Sequence, residues 1–311
     1  MSLDLPLVRG DVDPSVALRE SAAPVALVRA GEADVIVVDP AGFVLLDEAG
    51  ARRTDTPVLR RLRGDEAARG LEGATASFIG VAGGRSVVAI ETSRDEVRGH
   101  WEHLRAVGWC LDGDDAALAL TALALAGWHA NYRYCPRCGA QVQLVSGGWA
   151  ARCETCDRLE YPRQDPAIIV LVQDHDGRVL LAHNALWQPG FVSIIAGYVE
   201  AGESPDVTVA REVAEEVGVD IETPTYVATQ PWPFGRSQMM GYRARTLEEH
   251  PTPQADGVEI EWARFYSREE LTRALESGEI SAPGRASIAY ALLREWYGAD
   301  LPSGPEGAGR K

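Results

Sequence analysis

The sequence predicts a mixed α+β protein built from more than one domain. Its 311 residues are 46% hydrophobic, so the chain can bury a sizeable core, and length alone favours about two domains. Apolar runs of strand length fill the first part of the chain, and a run rich in alanine and leucine follows them. Beyond a short cysteine-bearing segment, strand and helix patterns are mixed. We therefore expect a β-rich N-terminal domain, a small cysteine module and a C-terminal domain of strands and helices.

The N-terminal part shows five runs that predict strands separated by Gly, Asp and Pro turns. They are VALVRA (25–30), ADVIVVD (33–39), FVLLD (43–47), ASFIGVA (76–82) and SVVAIET (86–92). Alanine and leucine dominate residues 114–127, which predicts a helix. The N-terminal domain is therefore expected to cover residues 1–130 and to end in this helix.

The C-terminal part begins with a strand, a turn and a strand, AIIVLVQD (167–174) and RVLLAHN (178–184). A helix over 205–217, further strands and two closing helices are expected to follow. This mixed pattern predicts one domain over residues 162–300. The tail 301–311 is rich in Pro and Gly, and we expect it to be disordered.

The net charge limits the range of partners. A formal charge of −16 and a pI near 4.8 argue against broad attraction to nucleic acid or to an anionic membrane, because both need clustered Lys and Arg. The most apolar stretch, 116–128, is too short to span a bilayer, so a buried helix explains it better. The N-terminus lacks the features of an export signal. We expect a cytoplasmic protein without membrane association.

Four of the five cysteines form two CxxC pairs separated by fourteen residues. These are Cys135, Cys138, Cys153 and Cys156. Zinc takes four thiolates in a tetrahedron, and a closed shell leaves no position for a reactive water, so such a zinc is structural. Two disulfides or unrelated core cysteines are the alternative. We predict a zinc ribbon over 131–161 with one tightly bound zinc; the lone Cys110 is given no role.

The expected helix 205–217 has clear ends. Ser204 can cap it before Pro205, and Gly218 stands where a left-handed residue would end it. The spacing predicts a buried face made of Val207, Ala210, Ala214 and Val217.

A patch of carboxylates rises from a neighbouring face of this helix at positions i, i+3 and i+4. It consists of Glu212, Glu215 and Glu216. A solvated face with an Arg211–Glu215 ion pair would look similar. The loop upstream favours a ligand site instead, because Gly197 and Gly202 let the backbone approach a ligand and Glu203 adds an acid. Magnesium with phosphate oxygens suits this donor set.

These residues resemble the box of the Nudix hydrolases at all of its fixed positions. The matching residues are Gly197, Glu203, Arg211, Glu212, Val213, Glu215, Glu216, Gly218 and Val219. The resemblance implies a Nudix α/β/α sandwich and an enzyme that cleaves a nucleoside diphosphate linked to another group. It also implies that Arg211, Glu212, Glu215 and Glu216 are catalytic.

Downstream, TQPWPFGRS (229–237) resembles the SQPWPFPxS array of the NADH pyrophosphatase branch, which also carries a four-cysteine zinc ribbon. Thr229 and Gly235 depart from the array. Trp232 and Phe234 offer flat faces to bases, and Gln230 and Ser237 offer hydrogen bonds. A packed loop of core aromatics is the alternative interpretation.

The same resemblance suggests further site residues. Tyr161 and Tyr198 are expected near the nicotinamide, and Arg105 and Ala289 are weaker candidates for substrate contact. Glu259 and the Ala196 carbonyl are expected to join Glu212 and Glu216 as ligands of Mg²⁺ or Mn²⁺. Glu261 competes with Glu259, because Trp262 departs from the family's motif. His129, next to a complete cysteine set, is interpreted as structural.

The resemblance implies hydrolysis of the pyrophosphate bond of NADH or NAD to NMNH or NMN and AMP. Two or three Mg²⁺ or Mn²⁺ ions would activate water for in-line attack, with Glu215 or Glu216 as a candidate proton acceptor. A homodimer is expected. The alternatives are removal of NAD caps from RNA, an ADP-ribose-type Nudix activity, and a nucleic-acid-binding zinc-ribbon regulator. The regulator is disfavoured because every box carboxylate is present.

Overall fold

A computed structural model of the chain describes residues 3–21, 23–48, 56–71 and 73–303. The chain divides into two compact units. The C-terminal unit contains Met1–Leu5, Asp165–Gln230 and Ser237–Lys311, and the N-terminal unit contains Pro6–Gln164 and Pro231–Arg236. Most of the predicted tail, from residue 304, lies outside the described residues. Among the described residues, no helix is long and apolar enough to cross a membrane.

The N-terminal unit is built on a five-stranded sheet. Its strands are β1 (Ala33–Asp39), β2 (Phe43–Leu46), β3 (Thr75–Ala82), β4 (Arg85–Glu91) and β5 (His100–His103). They lie in the order β3-β4-β1-β2-β5. The central β1 is buried at all seven positions, as expected of a valine-rich strand with partners on both sides.

Helices cover this sheet and connect its strands. They are α1 (Val16–Ser21), α2 (Pro24–Arg29), α3 (Gly64–Gly70), α4 (Leu104–Val107) and α5 (Gly113–Asn131), with 3₁₀ turns at Pro6–Val8 and Ser146–Gly148. The strand predicted at 25–30 is wrong, because these residues lie in α2. Pro24 occupies the first turn of α2, where its missing N–H costs nothing and its fixed φ favours a helix.

The alanine- and leucine-rich segment forms α5, as predicted. The Asp112 side chain accepts the Asp115 N–H and caps the helix start. Leucines and alanines are buried around most of its circumference, which explains why a strongly apolar run needs no membrane.

The cysteine segment forms a small three-stranded sheet in the order β6 (Val142–Val145), β7 (Ala150–Cys153) and β8 (Leu159–Glu160). The first CxxC precedes β6, and the second begins at the end of β7. The hairpin therefore brings the two pairs together.

The C-terminal unit is a six-stranded mixed sheet. Its elements are β9 (Asp165–Gln173), β10 (Val179–Asn184), β11 (Ile195–Tyr198), α6 (Pro205–Val217), β12 (Thr225–Trp232), β13 (Ser237–Arg245), β14 (Ile260–Tyr266), α7 (Arg268–Ser277) and α8 (Ile288–Tyr297). The order is β12-β13-β9-β10-β14, and β11 pairs with β9. The strand at 167–174, the strand at 178–184 and both closing helices agree with prediction.

Both faces of this sheet are covered. Along β9, Ile168 and Val170 belong to a core cluster that includes the valines of α6. Ile169 and Leu171 belong to a second cluster that includes Leu275 of α7 and residues of α8. Alternate residues of one strand thus meet different helix layers. The predicted α/β/α sandwich and the mixed α/β class are confirmed.

Helix α6 has the predicted bounds but not the predicted buried face. Gly218 ends it in the left-handed conformation, and Ser204 stands at the N-cap without a side-chain cap bond. The buried residues are Thr208, Val209, Val213, Glu216 and Val217. Val207 is 57% exposed, and Ala210 and Ala214 are exposed. Only Val217 was assigned correctly, and one carboxylate faces inward.

Candidate active site and zinc centre

Arg211 orients three neighbouring carboxylates through all five of its guanidinium hydrogens. Nε and Nη2 donate to the two oxygens of Glu203 at 2.8 and 2.9 Å. Nη1 donates to Glu212 Oε1 and Glu215 Oε2, both at 2.9 Å, and Nη2 also donates to the Tyr198 carbonyl at 3.1 Å. A planar guanidinium with five fixed donors therefore sets the orientation of three carboxylates at once.

Glu203 is held from its other side by Thr208. The Thr208 hydroxyl lies 2.7 Å from Glu203 Oε2 and 3.1 Å from the Ser204 carbonyl oxygen, and its side chain is completely buried. Bonds from Arg211, then from Thr208, lower the pKa of Glu203 to about 2. Glu203 is consequently a fixed anion that orients Arg211.

Glu216 is the most confined acid of the cluster. It is only 6% exposed, and burial followed by the charges of Glu212, Glu259 and Asp256 raises its pKa to about 8. Burial also raises the pKa of Glu212, where Glu215 and Glu259 add repulsion to it. Buried acids gathered in this way need a cation to carry their charge.

The distal acid of the cluster is Glu259, at the end of the loop before β14. Its charge helps to raise the pKa of both Glu212 and Glu216. Glu261 lies instead 3.5 Å from His183 Nε2. The placement favours Glu259 over Glu261, although its metal role remains a prediction.

The donor set fits a hard divalent cation. Glu212, Glu216 and Glu259 offer carboxylate oxygens, which Mg²⁺ and Mn²⁺ prefer. Mg²⁺ takes one or two carboxylates and completes its shell with water and phosphate oxygens.

The other predicted residues of the C-terminal unit occupy different environments. Tyr198 is 55% exposed, and its hydroxyl lies 3.2 Å from Ser237 Oγ. Ala196 lies in β11 opposite Ile169. Gln230 is fully buried, and its Nε2 donates to the Ala286 carbonyl at 3.0 Å. Its Oε1 has no hydrogen-bond partner within the part of the chain that the structure describes.

Ala289 is 4% exposed within the core cluster of α8. Its close neighbours are therefore other core side chains. The predicted substrate roles of Ala289, Gln230, Ser237 and Tyr198 stay predictions.

In the N-terminal unit, Arg105 lies against the two aromatic rings predicted to bind bases. Its guanidinium carbon is 4.5 Å from the Phe234 centroid and 5.5 Å from the Trp232 centroid, and the two rings meet edge to face. Among the described residues Arg105 makes no ion pair. A cation–π contact leaves its charge available to an anion.

His103 completes this group, and no motif in the sequence predicted it. Its ring packs 4.8 Å from Phe234, and its Nδ1 accepts the Arg105 N–H at the start of α4. Burial, then the charge of Arg105, lowers the pKa of His103. His103, Arg105 and Phe234 line a pocket of about 470 Å³ together with Gly42 and Arg236, which is a suitable size for a base or a nucleoside.

Tyr161 lies elsewhere in the N-terminal unit. It is 63% exposed and lines a groove of about 770 Å³ with Trp149 and Pro162. Its predicted contact with the nicotinamide stays a prediction.

The four predicted cysteines converge as a zinc site requires. Their Sγ–Sγ distances are 3.4 Å for Cys138–Cys153 and 3.7 Å for both Cys135–Cys156 and Cys138–Cys156. Tetrahedral zinc with bonds of about 2.3 Å places sulfurs roughly 3.7 Å apart. A disulfide needs about 2.05 Å, so the disulfide alternative is excluded.

The surroundings of Cys153 favour a thiolate. The N–H groups of Cys156 and Thr155 point at Cys153 Sγ, and they lower the pKa of this thiol to about 6. The closed four-sulfur group therefore fits a structural zinc. His129 is separate from it, because its ring nitrogens pair with Glu91 at 2.5 Å and with the Gly148 carbonyl at 2.7 Å, as a structural histidine would.

Two domain families match the chain. The family described as NUDIX domain matches residues 163–287. The family described as NADH pyrophosphatase zinc ribbon domain matches residues 130–161. The two matches agree with the resemblance that the box and the cysteine pairs suggested.

Several relatives match roughly two thirds of the chain. The NAD-capped RNA hydrolase NudC of Mycobacterium bovis is 36% identical over 235 residues, covering 71% of this chain and 75% of that protein. The NAD-capped RNA hydrolase NudC of Stutzerimonas stutzeri is 38% identical over 217 residues, covering 70% and 74%. The mitochondrial NAD(P)H pyrophosphatase NUDT13 of Mus musculus is 34% identical over 213 residues, covering 65% and 60%.

Among solved structures, a NUDIX hydrolase from Nitrosomonas europaea aligns with a TM-score of 0.41 and 20% identity, covering 55% of this chain and 97% of that one. The family assignment depends on the sequence relatives and the domain families. The chain therefore belongs to the Nudix hydrolase family, in the branch that carries the NADH pyrophosphatase zinc ribbon, and is an enzyme that hydrolyses pyrophosphate bonds.

Proposed function

We propose that this enzyme hydrolyses the pyrophosphate bond of NADH and NAD, releasing AMP and NMNH or NMN. The observation that carries the proposal is the acid cluster, in which Glu212 and Glu216 are partly or largely buried and repelled by Glu259. Such a cluster binds hard cations, and hard cations bind diphosphates. The relatives are named as an NAD(P)H pyrophosphatase and as NAD-capped RNA hydrolases, and these names support the same bond as the target.

We assign the ion-binding roles to Glu212, Glu216, Glu259 and the Ala196 carbonyl. Two or three Mg²⁺ or Mn²⁺ ions bound there would neutralise the diphosphate and lower the pKa of the attacking water. Arg211 orients Glu212 and Glu215 through the bonds described above. Glu215, which is exposed, and Glu216, which is buried, are both candidates to accept the proton of that water.

We assign the substrate's bases and sugars to the aromatic and polar side chains. Trp232, Phe234 and Arg105 offer ring faces and a positive charge. The exposed rings of Tyr198 and Tyr161 offer further stacking surfaces. The other predicted substrate residues are buried, namely Gln230, Ser237 and Ala289. A role in supporting the substrate pocket therefore fits them better than extensive contact with the substrate.

A second candidate substrate is RNA that carries NAD at its 5′ end. The relatives from Mycobacterium bovis and Stutzerimonas stutzeri are named for this activity, and the bond to be cut is the same. The net charge of −16 weakens association with a long polyanion. We therefore rank the free dinucleotide first.

We further propose that residues 1–130, 131–161 and 162–300 are the N-terminal, zinc-ribbon and catalytic domains, and that the enzyme is a cytoplasmic homodimer. Light scattering of the purified chain tests the assembly. A monomer at micromolar concentration would contradict the dimer and leave the chemistry intact.

Product analysis tests the proposed reaction. NADH, NAD⁺, ADP-ribose and NAD-capped RNA are each incubated with the enzyme and Mg²⁺ or Mn²⁺, with Glu216→Gln as the inactive control. AMP with NMNH or NMN, absent in the control, supports the dinucleotide. If only ADP-ribose is hydrolysed, the enzyme is an ADP-ribose-type Nudix pyrophosphatase. If NAD-capped RNA is cleaved faster than NADH, RNA is the preferred substrate.

A further inference from the structure

The loop between β13 and β14 is attached to the end of α6 by two backbone hydrogen bonds. The Gln254 N–H donates to the Val217 carbonyl at 2.8 Å, and the Asp256 N–H donates to the Glu216 carbonyl at 3.1 Å. The loop thus passes directly beside the backbone of a proposed metal ligand. From Asp256 it reaches Glu259 within three residues.

The Asp256 carboxylate collects the N–H groups of the residues that follow it. Oδ1 accepts from Val258 at 3.1 Å, from Glu259 at 3.2 Å and from Ile260 at 2.8 Å, and Oδ2 accepts from Glu259 at 3.2 Å. A carboxylate with several charge-assisted bonds to consecutive amides fixes their directions. It therefore defines the backbone from which the Glu259 side chain projects.

The far side of Glu259 is fixed by a second element. The Ala185 N–H donates to the Glu259 carbonyl at 2.9 Å, and Asn184 Nδ2 donates to Glu259 Oε1 at 3.3 Å. These bonds reach from the end of β10. With Asp256 on one side and Asn184 on the other, an exposed acid at the end of a loop has one defined position.

We propose that Asp256 is a positioning residue that fixes Glu259 beside Glu216 and so sets the spacing of two carboxylates in the metal site. The inference rests on the proposed function, because it assumes that Glu259 and Glu216 hold the ions. In this role Asp256 acts through Glu259 and is not itself a metal ligand. Outer residues that orient metal ligands commonly change metal affinity about 10- to 100-fold when they are lost.

The charge of Asp256 offers a competing explanation for any effect. This carboxylate is among the acids that raise the pKa of Glu216, so removing it also changes the electrostatics. Asp256→Asn separates the two effects, because Asn keeps an Oδ1 acceptor for three amides and removes the charge. Asp256→Ala removes both.

The experiment measures Mn²⁺ binding by isothermal titration calorimetry, without substrate, for the wild type, Asp256→Asn, Asp256→Ala and Glu259→Ala. We expect Asp256→Ala to weaken binding about 10-fold or more, towards the value for Glu259→Ala, and Asp256→Asn to stay within about 3-fold of the wild type. The Mg²⁺ concentration for half-maximal NADH hydrolysis should follow the same order. Circular dichroism checks that each variant is folded, and Asp256→Ser replaces Asp256→Ala if the latter is not.

Failure of the inference and failure of the proposed function give different results. If Glu259→Ala binds Mn²⁺ like the wild type, the metal assignment in the proposed function is wrong. If Glu259→Ala weakens binding and Asp256→Ala does not, only the positioning role is wrong. Equal loss in Asp256→Asn and Asp256→Ala would also overturn it, since charge would then be the cause.

Discussion

Gly197 and Glu212 approach each other so closely that residue 197 has no room for a side chain. A Cβ at position 197 would lie 2.0 Å from both Cδ and Oε1 of Glu212. The glycine of the box therefore lets the carboxylate of Glu212, a proposed metal ligand, lie directly over the backbone of β11.

Gly197→Ala should displace the Glu212 carboxylate while leaving the sheet intact. A displacement on the order of 1 Å at a reacting centre costs about 100-fold in rate, so we expect kcat/KM for NADH to fall by roughly this factor. Ala210→Ser, on the exposed face of α6, is the control and should keep full activity. Equal activity of the two variants would show that Glu212 has freedom to move.

Thr208→Val should destabilise the C-terminal unit, because it removes a buried hydroxyl from Glu203 without changing side-chain volume greatly. Leaving a buried acceptor short of one donor costs about 1–3 kcal/mol, which urea unfolding can measure. Thr208→Ser retains the hydroxyl and should recover most of the loss. If the two variants were destabilised equally, the loss of stability would result from altered packing and not from the lost hydrogen bond.

Glu203 should make stability depend on acid pH. Its pKa in the folded protein is lowered to about 2 from an ordinary 4.5, so its contribution is fully present above pH 4.5 and is lost as pH falls towards 2. Glu203→Gln should flatten the acid-unfolding curve between these values, followed by circular dichroism. Wild-type and variant curves of the same slope would show that the Arg211 pair adds no net stability.

Glu216→Gln should have opposite effects with and without metal. Because the pKa of Glu216 is raised from 4.5 to about 8, the folded protein retains a proton that the unfolded chain releases, and stability falls as pH rises between these values. Without metal at pH 8, the variant should melt at a higher temperature than the wild type. With Mn²⁺ only the wild type should gain stability, as thermal melts would reveal.

Zinc removal should unfold the ribbon. Elemental analysis of protein purified without chelator should give about one zinc per chain, because a closed four-thiolate site binds the metal tightly. Cys153→Ser should lose the zinc and lower the melting temperature. Cys110→Ser lies outside the cysteine pairs and should retain zinc; zinc-free wild-type protein of equal stability would contradict the structural role.

The ends of α6 and the ribbon were predictable because they depend on local chemistry. Pro205 and Gly218 mark a helix start and stop, and a CxxC pair can reach one metal wherever it folds. The buried face of α6 was not predictable in the same way. Alternating apolar and charged residues fit more than one helical stripe, and the true one includes Glu216, which a pattern of apolar residues leaves out.

Other site residues depend on contacts between distant segments. In the sequence Thr208 is an ordinary helix residue, and only the fold shows that its hydroxyl contacts Glu203. The position of His103 in the group is likewise evident only from the fold, which packs its ring against Phe234. The role proposed for Asp256 likewise depends on the fold, which places its backbone N–H against the Glu216 carbonyl. The mistaken strand at 25–30 had a similar origin, since a short apolar run after Pro24 suits either a helix or a strand.

The complete use of the Arg211 donors has a consequence for how anions are recognised in this enzyme. Every N–H of that guanidinium already serves the protein's own oxygens, so it has no vacant hydrogen bond to offer a phosphate. Arg211 thus has a structural role in the box, because it holds the protein's own oxygens in place. Selectivity among phosphorylated ligands must therefore come from other groups, whose hydrogen-bond donors the protein does not already use. Attempts to change the selectivity should begin at those groups.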